Sequence, residues 1–309
     1  MSELESETPE RKSPEVGEEH FPGPMAAFGL ALAGLLSSSL VASIAMSLGF
    51  SGKSSLMAAM GIGYGIGLGG VATLAAQRVP EPQMQRMGLQ NFSPTLMSSL
   101  LCMLPLLILI SELDNWWKLT LPVSPEFEEV REQMKALFNL NSPYAMIQTA
   151  IVALGIIPVV EGFFFFGVIL QGVVGRLGRG RGLLVVAILY SLVHFPASGT
   201  PGNALIPLTT WLAVGGALGL VRLASGSILP AILLSSGYSA IHLIADVGRE
   251  SFPIPGFNAP GDHTPLWILL PSAALVWVGA KQLWTEALRQ PMQIPIPEQK
   301  DDLDEGFHF

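Results

Sequence analysis

Glu161 stands in the middle of an apolar run, Ile156 to Leu170 (IIPVVEGFFFFGVIL), and His194 interrupts a second apolar run. A charged side chain at the centre of a bilayer costs about 3 kcal/mol on insertion scales, so such residues are retained for a partner or a task. A carboxyl group beside an imidazole suits proton transfer: the carboxylate takes a proton from water while the ring orients or polarises that water. The same two groups also read as one buried hydrogen bond tying two helices together.

The elements that carry them follow from composition. The chain has 309 residues, of which 50% are hydrophobic and only 13% charged, whereas a soluble domain carries about 25% charged residues. The class is an all-α polytopic transmembrane bundle. Apolar segments near 25–48, 55–76, 95–112, 145–174, 182–196, 203–222, 227–245 and 265–284 give about eight spans when set against the roughly 20 residues needed to cross a bilayer. The fifth is short and Pro196 should end it, while the fourth is too long for a perpendicular crossing and must tilt, bend or run out into the interface.

From Arg176 at the end of the fourth segment, Glu161 lies roughly 22 Å along a helix; from Arg181 at the start of the fifth, His194 lies roughly 20 Å along the return. The short connection predicts antiparallel neighbours, so both side chains can share one layer.

With the N-terminus inside, the sixteen Lys and Arg divide eleven on inner connections to five on outer ones, which predicts cytoplasmic termini. Residues 1–23 and 291–309 are expected to be disordered tails flanking a transmembrane domain at 24–290, and the net charge of −8 comes largely from them. The acidic start does not resemble a cleavable signal peptide. No nucleic-acid surface is suggested; the expected partners are the bilayer and a membrane peptide or protein, with the oligomeric state open. Cys102 alone can form neither an internal disulfide nor a thiolate metal site.

Gly61, Gly65 and Gly69, and Gly215 with Gly219, form small-residue rows that predict close helix packing. Ser124 to Leu140 reads as an amphipathic surface helix, with Trp116 and Trp117 as interfacial anchors beside it.

The run Pro158-x-x-Glu161-Gly162-x-x-Phe165-Phe166-Gly167, followed by Tyr190-x-x-x-His194, resembles the CPBP family of intramembrane proteases, which includes the type II CAAX prenyl endopeptidases and bacteriocin-processing or immunity proteins of the Abi type. The resemblance covers roughly residues 145–246. It implies a helical CAAX-protease-like core that hydrolyses a peptide bond in a membrane cavity. In that scheme Glu161 is the general base and His194 positions the water, with a divalent metal such as zinc as an optional participant held by His194 and Glu161. Tyr190 takes the place of the family's Phe, within hydrogen-bonding reach of Glu161.

Three departures bear on activity. Gly162 replaces the family's second Glu, and Phe166 replaces its Arg. Losing both members of a charge pair together is tolerable for folding, but the orienting network goes with them. The third motif, which stabilises the oxyanion in that scheme, aligns Ser235 and Ser239 with the His and Asn/Asp positions, while an actual His242-x-x-x-Asp246 occurs two turns later. Ser235 is expected at the depth of Glu161, and His242 about 10 Å farther out.

Three functions stay open at this point. The first is an endopeptidase, the second a non-catalytic membrane binding or immunity-type protein, and the third a proton-linked transporter. The third would be expected to show an internal repeat, and none is visible. A Ser-His-acid arrangement using Ser235 or Ser236 is a further chemistry these residue types allow.

Overall fold

The computed structural model describes residues 20–50, 56–121, 143–195, 201–259 and 263–290, together with residues 124, 125, 129 and 261. Residues 1–19 and 291–309, Pro196 and nearly all of the expected surface helix lie outside the described residues. Residues 20–23, expected as part of the N-terminal tail, are described, and the carbonyls of His20 and Phe21 accept hydrogen bonds from Arg176 and Gln171.

Eight long helices account for the apolar segments: α1 (Pro24–Ser47), α2 (Leu56–Ala76), α3 (Pro94–Thr120), α4 (Pro143–Leu177), α5 (Arg179–Val193), α6 (Pro201–Ser225), α7 (Leu229–Val247) and α8 (Leu266–Arg289). All except α5 are long and apolar enough to cross a membrane, so the protein is an integral, multi-pass membrane protein. No strand occurs among the described residues.

The central element is α4. Its 35 residues far exceed a perpendicular crossing, and the helix is wider than α-helical over Ile151–Ile156 and Gly162–Ile169, where i to i+5 bonding takes over. Phe164, Phe165, Phe166, Val168, Ile169 and Leu170 are all buried, as expected of a helix that is apolar all round and enclosed by neighbours. Helices α1 and α2, α5 and α7 pack around it.

Two relationships fix the register of the site. Gly178 alone separates α4 from α5 and adopts φ +77°, a conformation that L side chains rarely adopt. Its tight reversal brings Gly182 against the Val174 backbone, where a Cβ would lie 2.7 Å from Val174 Cα. Helix α2 sits on α4 through Gly61, Gly65 and Gly69, which face Val152, Ile156 and Val160. The packing assigned to that row is therefore present, yet the tightest approach belongs to the intervening Gly63 and Gly67. A Cβ on either would come within 2.6 Å of the α1 backbone at Ser37 or Ser38.

Helix α3 runs eight residues beyond the apolar segment that ends at 112, because its polar residues find partners. Ser111 Oγ and Asn115 Nδ2 donate to the Gly256 carbonyl at 2.8 and 2.7 Å. Glu112 accepts the Thr264 N–H at 2.7 Å and lies 2.6 Å from His263 Nδ1. Thr210 Oγ1 donates to Asp114 at 2.9 Å. A hydropathy window stops where charge begins; hydrogen bonding across the bundle lets the helix continue.

Candidate active site

Counting from Gly178, Glu161 lies 17 residues back along α4 and His194 lies 16 residues on, at the C-terminal end of α5. Equal arms of an antiparallel pair bring the two side chains to one depth. His194 Nε2 lies 3.0 Å from Glu161 Oε1, and the two side chains keep only 10% and 4% of their exposure.

The other hydrogen bonds define the protonation of this pair. His194 Nδ1 lies 2.7 Å from the Tyr190 carbonyl oxygen, which can only accept, so Nδ1 carries a proton. Nε2 faces a carboxyl oxygen, and a lone pair opposite a lone pair would repel. One proton therefore sits between Nε2 and Oε1, as carboxylate with imidazolium or as carboxylic acid with neutral imidazole. The Tyr190 hydroxyl donates to Glu161 Oε2 at 2.7 Å. Tyr190 thus serves the pair twice, orienting the ring through its carbonyl and the carboxyl group through its hydroxyl.

Aromatic rings enclose the imidazole. Trp211 of α6 stacks on His194 with centroids 4.2 Å apart and planes 27° from parallel, and the Tyr190 ring lies 4.3 Å away on centroids. Phe165 and Phe166 pack against Tyr190 at 5.0 and 5.7 Å. Tyr64 of α2 is a further neighbour close enough to Glu161 to feel its charge. Neither Tyr64 nor Trp211 stands out in the sequence: Tyr64 hides in a glycine-rich row that reads as packing, and Trp211 is indistinguishable from any other aromatic in a span. The signal they carry is a hydrogen-bonding aromatic at mid-helix depth.

The departures from the protease pattern have structural counterparts. A Cβ on Gly162 would meet Ile232 Cγ1 of α7 at 2.5 Å, so no room exists there for a glutamate. Phe166 is buried against Tyr190 and Gly219, where the pattern has a guanidinium. Apolar packing stands where the resembled pattern has an ion pair, an arrangement that is often neutral or stabilising for a fold.

Helix α7 places the remaining candidates away from the dyad. With Ile232 level with Gly162, and Ser236 Oγ donating to the Leu154 carbonyl at 2.7 Å, α7 runs antiparallel to α4. Ser235 lies half-buried about one turn beyond the Gly162 level, and Ser236 is engaged with backbone rather than with His194. His242 is ten residues past Ile232, about 15 Å along the helix. Its ring stacks near Phe257 at 6.4 Å, and Asp246 lies exposed, 3.8 Å from Arg249. Glu161, His194 and Tyr190 come together; Ser235, His242 and Asp246 do not join them.

A zinc ion needs at least three protein ligands of the His, Cys or carboxylate type. The site offers one carboxyl group and one ring nitrogen, the other ring nitrogen being committed to the Tyr190 carbonyl, and the described residues contain no cluster of three such groups. The residues present do not fit a zinc site, and no step is derived through one.

A family model described as type II CAAX prenyl endopeptidase Rce1-like matches residues 143–241. The match takes in α4 to α6 and most of α7, including Glu161, His194 and Ser235, and it ends one residue before His242. No curated protein and no solved structure matches the chain.

Proposed function

We propose, on the match of residues 143–241 to the type II CAAX prenyl endopeptidase Rce1-like model, that the protein is a membrane-embedded endopeptidase in which Glu161 and His194 activate water against a peptide bond. The observation that carries this reading is the 3.0 Å contact between His194 Nε2 and Glu161 Oε1, made by the two motif residues of that family in a buried layer. In the carboxylate–imidazolium form, Glu161 removes a proton from water as the oxygen attacks the carbonyl carbon. With the ring held by its Nδ1–H bond to the Tyr190 carbonyl, the imidazolium Nε2–H is shared between Glu161 and the incoming water or the developing oxyanion. Glu161 then delivers its proton to the leaving nitrogen as the C–N bond breaks, so protons balance over the cycle. The Tyr190 hydroxyl holds the carboxyl group during both transfers, and Trp211 covers the ring.

The substrate class is a peptide segment reached within the bilayer or from its surface. Incubation of the purified protein in detergent with a pool of membrane peptides tests the reading by mass-spectrometric detection of fragments. Cleavage by the wild type should fall by a factor of about 10² or more in Glu161→Gln and His194→Ala, a typical contribution of a general base. Undiminished cleavage in both variants would reject the site.

A second reading is favoured by one specific observation, the filling of the Gly162 and Phe166 positions by apolar packing. In that reading the fold is retained as a non-catalytic membrane binding or immunity-type protein, with the dyad as a helix tie. A wild type that cleaves nothing in the pool while co-purifying with a membrane partner supports it.

A further inference from the structure

Between the first turns of α3 and the C-terminal half of α8 lies an open groove of about 660 Å³, bordered by Thr95, Leu96 and Ser99 on one side and by a face of α8 on the other. The two helices close on each other at Gly279, where a Cβ would lie 2.9 Å from Cys102 Cβ. On α8, Trp277, Lys281, Thr285 and Arg289 follow one another at intervals of four residues and so form one stripe. The stripe changes character along its length. Trp277 and Val278 wall the end nearer mid-helix, and the cations occupy the end near the helix terminus.

That terminus lies beside the basic turn between α4 and α5, since Arg179 donates to the carbonyls of Leu288 and Gln290. The groove therefore opens toward one membrane surface and runs from there into the apolar layer.

Its charges do not cancel. Arg289 lies 3.4 Å from Glu286, whereas Lys281 has no ion-pair partner among the described residues although it stands two turns inside the helix end. Lys281 and Arg289 against Glu286 leave one net positive charge along the groove. The lining adds a donor: Ser99 Oγ donates to Gln282 Oε1 at 2.8 Å, so the amide oxygen is engaged and the NH₂ is the group left to donate. The Thr285 hydroxyl is spent on the Lys281 carbonyl at 2.9 Å.

We propose that this groove binds one anionic diacyl phospholipid, its phosphodiester held by Lys281, Gln282 and Arg289 and one acyl chain lying along Trp277, Val278 and Leu96. The single negative charge of a phosphodiester neutralises the single positive charge of the groove. A lysine set inside a lipid-facing groove without an internal carboxylate takes its counter-charge from the headgroup layer, and basic pockets between membrane helices select anionic lipids on the same basis. The inference is independent of the hydrolytic reading.

The test is native mass spectrometry of the full chain from detergent containing equal amounts of phosphatidylglycerol and phosphatidylcholine. The wild type should retain phosphatidylglycerol about tenfold over phosphatidylcholine. The Lys281→Gln/Arg289→Gln double variant should lose that preference with an unchanged thermal melt, and Lys281→Arg should keep it. A wild-type ratio near one, or a preference that survives the double variant, overturns the proposal. Displacement of the lipid by millimolar glycerophosphoglycerol, a phosphodiester with the headgroup charge and no acyl chain, overturns the assignment to a lipid.

Discussion

His194 touches Glu161 at 3.0 Å while its other ring nitrogen bonds the carbonyl of Tyr190, so the proton held between ring and carboxyl group cannot leave by a ring flip without breaking a second hydrogen bond. Tautomer, ring plane and distance are set together by one turn of α5.

This coupling should appear in stability. Removing one partner of a buried charged pair costs about 3 to 5 kcal/mol, because it strands the other. Thermal unfolding in detergent should show His194→Ala and Glu161→Ala each strongly destabilised and the double variant little worse than either. Additive losses would mean that the pair is not coupled.

Tyr190→Phe keeps the ring contacts with Phe165, Phe166 and His194 and deletes only the 2.7 Å hydroxyl bond to Glu161. A hydrogen bond to a charged group is worth about 1.5 to 3 kcal/mol, and the melt should fall accordingly. If the hydrolytic reading holds, kcat should fall with KM nearly unchanged, since the hydroxyl acts on the base rather than on the substrate. A fall confined to KM would place Tyr190 in substrate binding instead.

Gly162→Glu introduces the residue that the resembled motif carries at this position and should nevertheless impair folding. Its Cβ would lie 2.5 Å from Ile232, and the carboxyl group would have no cation, since Phe166 stands where the pattern has Arg. Overpacking alone costs about 1 to 3 kcal/mol, and an unpaired buried charge adds to it. The triple variant Gly162→Glu/Phe166→Arg/Ile232→Ala should recover yield relative to the single one. A single variant as stable as the wild type would show that α7 moves freely on α4.

Within α2, glycines of similar sequence context should differ in consequence. Gly67→Ala drives a methyl group to 2.6 Å from the Ser38 backbone, whereas Gly65→Ala meets only Ile156 Cγ2 at 4.0 Å. Expression and melting should collapse for the first and change little for the other. Equal effects would reject the tight α1–α2 seam.

The sequence by itself determined the membrane class, the approximate helix ends and the shared depth of Glu161 and His194. Each follows from quantities local to the chain: hydropathy over a window, residue count along a helix, and a short connection between Arg176 and Arg181. The family resemblance was legible for the same reason, because its motif is a local spacing on α4 and α5. Helix continuation through Glu112, Asp114 and Asn115 was not legible, since the partners that satisfy them come from α6 and from the chain preceding α8. Tyr64 and Trp211 escaped notice because which face of α2 or α6 turns toward the dyad is decided by packing between helices, which no apolar pattern encodes when every face is apolar. The His242 and Asp246 question was likewise tertiary. Their residue types suit the chemistry, but the register of α7 is set by Ile232 filling the space over Gly162, and that contact holds both residues about 15 Å or more along the helix from the level of the acid and the imidazole.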